Sequence, residues 1–81
     1  MKMIPFKKDM FFSNYFWSQK DGLIREDILV KTYLSNYFTW SDFVTLLKLV
    51  GKEKLLEYSQ KIGNYKRIKH LIEVYEKYKP N

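Results

Sequence analysis

The sequence predicts an all-α fold, a compact bundle of about five short helices, from three observations. Apolar residues recur at spacings of three and four along most of the chain, whereas the period-two alternation of a half-buried strand is nowhere sustained. Both prolines lie near the ends of the chain, so no interior position forbids a helix. Gly22, Gly51 and Gly63 divide the interior into helix-sized segments. We expect a single helical domain, residues 1–81, because a chain of this length holds one small core.

The first two predicted helices span residues 9–17 and 23–37. Asp9 would cap the first helix, in which aromatic residues recur at helical spacing. The second helix has Glu26 and Asp27 in its first turn, where acidic side chains interact favourably with the helix dipole. Its wide apolar sector indicates contact with more than one neighbouring helix.

The last three predicted helices span residues 40–50, 52–62 and 64–78. Thr39 would cap the third helix, with Asp42 as the acidic half of a capping box. That helix is apolar around most of its circumference, so we expect it at the centre of the bundle. The fifth helix has the clearest pattern, with an apolar face opposite a basic one.

The composition favours a folded protein that is not an enzyme. Aromatic residues make up 19% of the sequence, and each buried ring removes roughly 150–250 Å² from water. The chain has no cysteine, which excludes disulfides, cysteine zinc sites and thiol catalysis. His70 is the only histidine, and no phosphate-binding loop or serine-nucleophile motif is present. We therefore expect no catalytic residues, no metal site and no cofactor.

The N-terminal segment does not have the pattern of a signal peptide. Lys7, Lys8 and Asp9 interrupt its apolar residues, and no stretch approaches the roughly 18 apolar residues that span a bilayer. We expect a cytoplasmic protein that has no membrane partner.

Residues 39–63 have the outline of a helix-turn-helix, on a chain of net charge +6. In that motif a small residue usually precedes the turn glycine by about four positions, because the two helices pack closely. Leu47 stands at that position before Gly51, and the charged Lys52 follows the glycine. The second helix has no Arg, Asn or Gln in its first two turns to contact base edges. A generic helical hairpin explains the segment at least as well.

Two other segments are candidate functional surfaces. The aromatic N-terminal segment either seals the core or forms a partly exposed patch that binds another protein, since aromatic rings are enriched at interfaces. The candidate partner-binding residues are Phe11, Phe12, Tyr15 and Trp17. The last helix carries a basic face, which is either a solvated surface or a contact for phosphates. The candidate nucleic-acid-binding residues are Lys66, Arg67, Lys69 and His70.

The order of these signals resembles a family of small prokaryotic helical domains of unknown function. In that family an aromatic "FW" pair precedes a helix with Arg and Glu near its start, and a "D-W/F-x-x-L" stretch and a "G-x-x-x-L/I" turn follow. The matching residues here are Phe16, Trp17, Asp42, Phe43, Leu46, Gly51, Leu55 and Ser59. The last helix lacks the "N-F-W" ending of the family and has Tyr65 and Tyr75 instead. The resemblance implies an antitoxin-like protein, encoded beside a nucleotidyltransferase toxin of the abortive-infection kind.

We therefore predict a non-catalytic protein-interaction module that restrains a nucleotidyltransferase-type toxin, as part of a toxin–antitoxin system. The alternative is a small DNA-binding transcriptional regulator that uses the basic face of the last helix. A homodimer with a structural role is the third alternative.

Overall fold

The computed structural model describes residues 2–78, which form two strands, one short 3-10 turn and four helices. The ends of the predicted 1–81 domain lie outside the described residues. The elements, in chain order, are strand β1 (Met3–Phe6), the 3-10 turn (Lys8–Met10), strand β2 (Gly22–Arg25), and helices α1 (Glu26–Ser35), α2 (Trp40–Val50), α3 (Lys52–Ile62) and α4 (Tyr65–Tyr78).

The prediction of five helices in an all-α bundle is wrong in the first third of the chain. Residues 9–17 do not form a helix: after the 3-10 turn they belong to an irregular segment, residues 11–21. The backbone N–H groups of Phe12 and Ser13 donate to the carboxylate of Asp42 instead of to carbonyls of a helix. Tertiary hydrogen bonds therefore replace the local ones that the helical spacing predicted.

The prediction of a helix over residues 23–37 is correct only in its middle. Residues 22–25 pair with β1 as a strand, and the helix begins at Glu26 and ends at Ser35. The three remaining helices are confirmed, with α4 beginning one residue later than predicted.

The two strands form an antiparallel sheet in which Ile4 lies opposite Ile24 and Phe6 lies opposite Gly22. The side chains of Ile4, Phe6 and Ile24 are buried and close one side of the core, whereas Met3 and Leu23 face outward and are exposed. The sheet therefore adds an inner apolar face to the helices.

The backbone of Pro5 lies on the outer edge of β1. The N–H of Glu26 donates to the carbonyl of Lys2 at 2.9 Å, so these two residues form a hydrogen-bonded pair. Hydrogen-bonded and non-hydrogen-bonded pairs alternate along an antiparallel ladder. Pro5, three residues further, belongs to a non-hydrogen-bonded pair with Leu23, so its missing N–H costs the ladder no bond.

Helix α3 is the central helix, because it packs against α1, α2 and α4. The sequence predicted that position for α2, but several apolar residues of α2 are only partly buried. The fully buried side chains of the core come from all four helices and include Leu29, Phe43, Leu46, Leu55 and Ile68.

The helix ends follow the capping rules. The hydroxyl of Thr39 accepts a hydrogen bond from the N–H of Asp42 at 3.1 Å, which confirms the predicted N-cap of α2. Gly63 ends α3 with φ 98° and ψ 13°, a left-handed conformation that favours glycine. Its N–H donates to the carbonyl of Ser59 at 2.8 Å.

Candidate interaction surface

The first attachment of the irregular segment 11–21 is to a buried carboxylate, that of Asp42. Oδ1 of Asp42 accepts from the N–H of Phe12 at 2.6 Å and from the N–H of Ser13 at 3.2 Å. Oδ2 accepts from the N–H of Thr39 at 3.1 Å and shares the Ser13 donor at 3.2 Å. Asp42 is fully buried, and three backbone donors from two segments converge on it. The side chain thus caps α2 and attaches the segment to the start of that helix.

The hydrogen bonds to Asp42 also set its acidity. Burial raises the pKa of the carboxyl, but the hydrogen bonds donated by Thr39, Ser13 and Phe12 outweigh burial, and the pKa lies below its ordinary value. The side chain is therefore a carboxylate at neutral pH, which strengthens each of these bonds.

Tyr33 of α1 forms the second attachment of the segment. Its hydroxyl donates to the carbonyl of Ser13, and its ring stacks on that of Phe11 with centroids 4.3 Å apart. The ring of Tyr15 meets Tyr33 edge-on at 5.1 Å. Burial and the nearby charge of Asp42 raise the pKa of Tyr33 to about 12, so the hydroxyl remains a donor at neutral pH.

The four candidate partner-binding residues differ in their exposure. Phe11 is 7% exposed, because it is buried against Tyr33. Phe12 and Trp17 are 79% and 75% exposed, and Tyr15 is 37% exposed. The segment therefore both seals the core, through Phe11, and presents aromatic rings to solvent.

The connection between α1 and α2, residues 36–39, continues this aromatic surface. The hydroxyl of Tyr15 donates to the carbonyl of Tyr37, which joins the two segments. Tyr37 is 72% exposed, and Trp40, the first residue of α2, is 46% exposed. Sequence reasoning missed both rings because it assigned them to a helix end; the cluster "NYFTW" beside a predicted cap was the available signal.

The basic residues of α4 share one broad arc of that helix. Lys66, Arg67, Lys69 and His70 are all exposed, as the sequence predicted. Successive residues of an α-helix are rotated by about 100°, so Arg67 and Lys69 lie about 160° apart around the axis, and Lys66 and His70 lie between them. The four residues thus span one arc of about 160°, and the exposed Glu73, about 20° from Lys66, lies within it.

Arg67 is the member of this set that contacts the α1–α2 connection. Its guanidinium lies over the buried ring of Phe38, 4.7 Å from the centroid. Within residues 2–78, neither Arg67 nor Lys66 forms an ion pair with an acidic side chain. The aromatic and basic surfaces therefore meet at Phe38, which the sequence did not predict.

One further buried acidic group lies at the start of α1. Glu26 accepts a hydrogen bond from the hydroxyl of Tyr58 at 3.1 Å, and its second oxygen lies 3.5 Å from the ammonium of Lys2. Burial and the bond to Glu26 raise the pKa of Tyr58 to about 12. These contacts join α1 to α3 and to the residue before β1, which is a structural role.

The described part of the chain brings together no group of three or more His, Asp or Glu side chains that could hold a metal ion. Over the same residues, no helix combines the length and the apolar character needed to cross a membrane. Comparison with known proteins finds no matching family model, no matching curated protein and no matching solved structure. The antitoxin-like resemblance and its toxin partner therefore stay predictions.

Proposed function

We propose that this protein is a non-catalytic interaction module whose contact surface is formed by Phe12, Tyr15 and Trp17. The observation that supports this most directly is that Phe12 and Trp17 remain 79% and 75% exposed in a segment whose backbone is attached to Asp42. Large apolar rings in water are unfavourable, and aromatic rings are enriched at protein interfaces.

The attachment of the segment is a second feature that favours binding, in addition to the exposure of its rings. A ring on a mobile loop loses conformational entropy when it binds, which offsets part of the gain from burial. Here the N–H groups of Phe12 and Ser13, and the carbonyl of Ser13, are already engaged by Asp42 and Tyr33. The rings are thus presented on a backbone that has already been ordered by folding.

The partner proposed here is a nucleotidyltransferase-type toxin, which rests on the family resemblance alone. The test is to co-express the chain with the protein encoded beside its gene and to co-purify the two. A double variant, Phe12→Ser with Trp17→Ser, is expected to lose the partner and keep its fold. The matched control is Leu23→Ser, which removes a 61% exposed apolar side chain from the outer face of the sheet.

Retention of the partner by the double variant would contradict the proposed surface, and absence of a neighbouring nucleotidyltransferase would remove the toxin from the proposal. Measuring the oligomeric state by sedimentation distinguishes a homodimer from binding of a different protein. If the wild-type chain sediments as a dimer and the double variant as a monomer, the surface binds a second copy instead.

The second candidate function is a DNA-binding regulator that uses Lys66, Arg67, Lys69 and His70. The lack of ion pairs at Lys66 and Arg67, within residues 2–78, favours it, and the exposed Glu73, which lies within the same arc of α4, weakens it. Binding of duplex DNA through phosphates would fall steeply with salt, whereas an aromatic interface is nearly indifferent to salt. Changing Lys66, Arg67 and Lys69 to Glu distinguishes the two, because only a regulator would lose its activity.

A further inference from the structure

We propose that the α1–α2 connection and the adjacent flank of α4 form a binding site for single-stranded nucleic acid. The site combines the exposed rings of Tyr37 and Trp40 with the guanidinium of Arg67. It does not depend on the protein-interaction surface proposed above, which uses Phe12, Tyr15 and Trp17.

The first component of the site is a pair of exposed rings, one just before α2 and one at its first residue. Tyr37 and Trp40 are three residues apart, so their Cα atoms are separated by at most about 11 Å. The ring of Trp40 packs on Phe43 at 5.6 Å and contacts Tyr75 at 6.4 Å, which leaves 46% of the residue exposed. A ring fixed on one side and open to solvent on the other is a platform on which a base can stack.

The backbone that carries these rings is ordered by hydrogen bonds at both ends. The carbonyl of Tyr37 accepts from the hydroxyl of Tyr15, and the N–H of Thr39 donates to the carboxylate of Asp42 at 3.1 Å. The side-chain amide of Asn36 donates to the carbonyl of Thr32 at 2.8 Å. Stacking on these rings therefore requires little further ordering of the protein.

The second component is a cation that contacts the connection. The guanidinium of Arg67 lies over the ring of Phe38, 4.7 Å from its centroid. The N–H donors of a guanidinium lie along its edge, where they can bind phosphate oxygens. Among the described residues no carboxylate pairs with Arg67, and Glu73 lies about 120° away from it around α4.

Single strands fit this arrangement better than a duplex does. Every base has a π face that can stack on an aromatic ring, but in a duplex those faces are occupied by neighbouring bases. Residues 36–41 contain no acidic side chain that would repel the phosphates. The site therefore matches a flexible anionic strand with exposed bases.

The test measures the binding of a fluorescein-labelled oligothymidylate, about 12 nucleotides long, by fluorescence anisotropy. Tyr37→Ser is expected to weaken binding by about five- to a hundredfold, the loss typical of one stacking ring. Arg67→Gln is expected to weaken it about tenfold through the lost phosphate contact. Circular dichroism establishes that each variant is folded; Tyr37 is mostly exposed, so its replacement leaves the core intact.

Lys69→Gln is the matched control, because it removes the same charge from the opposite flank of the same helix. Phe12→Ser is the second control, because it changes only the proposed protein-binding surface. Both are expected to leave the affinity within about twofold of the wild type, since neither residue belongs to the site. If Arg67→Gln and Lys69→Gln weaken binding equally, attraction is general and the proposed site is wrong.

The two tryptophans report which ring is stacked. The variant Trp17→Phe leaves Trp40 as the only tryptophan, and its emission should be quenched as the oligonucleotide is added. The variant Trp40→Phe leaves Trp17, whose emission should stay unchanged. Quenching of Trp17 alone, equal affinity for an oligothymidylate–oligoadenylate duplex, or no saturable binding of the single strand would each overturn the proposal.

Discussion

Replacing Asp42 by Asn should destabilise the protein strongly, although the two side chains have nearly the same shape. The carboxylate accepts from three backbone N–H groups, those of Phe12, Ser13 and Thr39. The amide of Asn has only one acceptor oxygen. If that oxygen still accepts from the N–H groups of Phe12 and Ser13, the NH₂ group faces the N–H of Thr39. Both of these groups are donors, so they cannot form a hydrogen bond.

The magnitude follows from these contacts. A buried donor without a partner costs about 1–3 kcal/mol, and each remaining bond loses the part that its charged acceptor contributed, about 1 kcal/mol. The expected loss for Asp42→Asn is therefore about 3–5 kcal/mol. An 81-residue domain has a free energy of unfolding of only about 4–12 kcal/mol, so the change removes a large fraction of it.

The assay is urea denaturation followed by circular dichroism, with Asp21→Asn as the control. Asp21 is exposed and its carboxylate accepts one backbone N–H, from Lys8 at 2.9 Å. Because Asn can still accept that bond, the control should cost less than about 1 kcal/mol. Equal unfolding free energies for the two variants would refute the role assigned to Asp42.

The pH dependence gives an independent check on the same side chain. The folded-state pKa of Asp42 is lowered, so its contribution to stability is fully present above the unfolded value of about 3.9 and is lost as the pH falls through the folded value. Asp42→Asn should therefore lose part of the acid-induced destabilisation of the wild type. An unchanged acid dependence would mean that the carboxylate is not the group that senses pH.

Three further variants and one titration test other parts of the structure. Tyr58→Phe removes the hydroxyl that donates to the buried Glu26 at 3.1 Å and should cost about 1–3 kcal/mol in urea unfolding. Spectrophotometric titration should show Tyr33 and Tyr58 ionising near their raised pKa of about 12. The stability that they contribute is present below about pH 10 and is lost as the pH rises through 12. Ionisation of all seven tyrosines near pH 10 without unfolding would contradict the burial of these two. Thr39→Ala removes the N-cap of α2 and should cost about 1 kcal/mol, measured against the exposed Ser41→Ala. Gly63→Ala should cost about 1 kcal/mol through backbone strain at φ 98° alone, since a Cβ there meets no atom within 4 Å; no change in the melting temperature would refute it.

The helices after Thr39 could be predicted from sequence because local signals specify them. The cap at Thr39 and the glycines at 51 and 63 mark the ends of α2 and α3, and the apolar period marks α4. Each of these signals acts within a few residues of the element it defines. Tertiary packing agrees with them and moves no boundary by more than one residue.

The first third of the chain could not be predicted because its structure depends on distant residues. Phe12 and Ser13 bond to Asp42, which lies about thirty residues further along the chain, and β1 pairs with β2 across a long connection. The aromatic spacing that predicted a helix over residues 9–17 instead reflects packing around Tyr33. Four-residue strands are too short to give a sustained alternation.

The sequence could predict which types of residue form the candidate surface, but it could not predict how these residues are arranged. The sequence identified aromatic residues near the N-terminus and cations on the last helix. Periodicity on a helix that does not form could not show that Phe11 is buried while Phe12 is exposed. The contact between Arg67 and Phe38 depends on the path of the α1–α2 connection, which no local pattern specifies.

The position of Pro5 has a consequence for how this small sheet behaves at high concentration. Edge strands with free N–H and carbonyl groups are templates for strands of other molecules, and this route leads to aggregation. The outward-facing backbone positions of β1 are those of residues 3 and 5, and residue 5 has no N–H to offer. An incoming strand would find half of the donors missing. The proline therefore protects a basic, aromatic-rich chain from growing into an intermolecular sheet along β1.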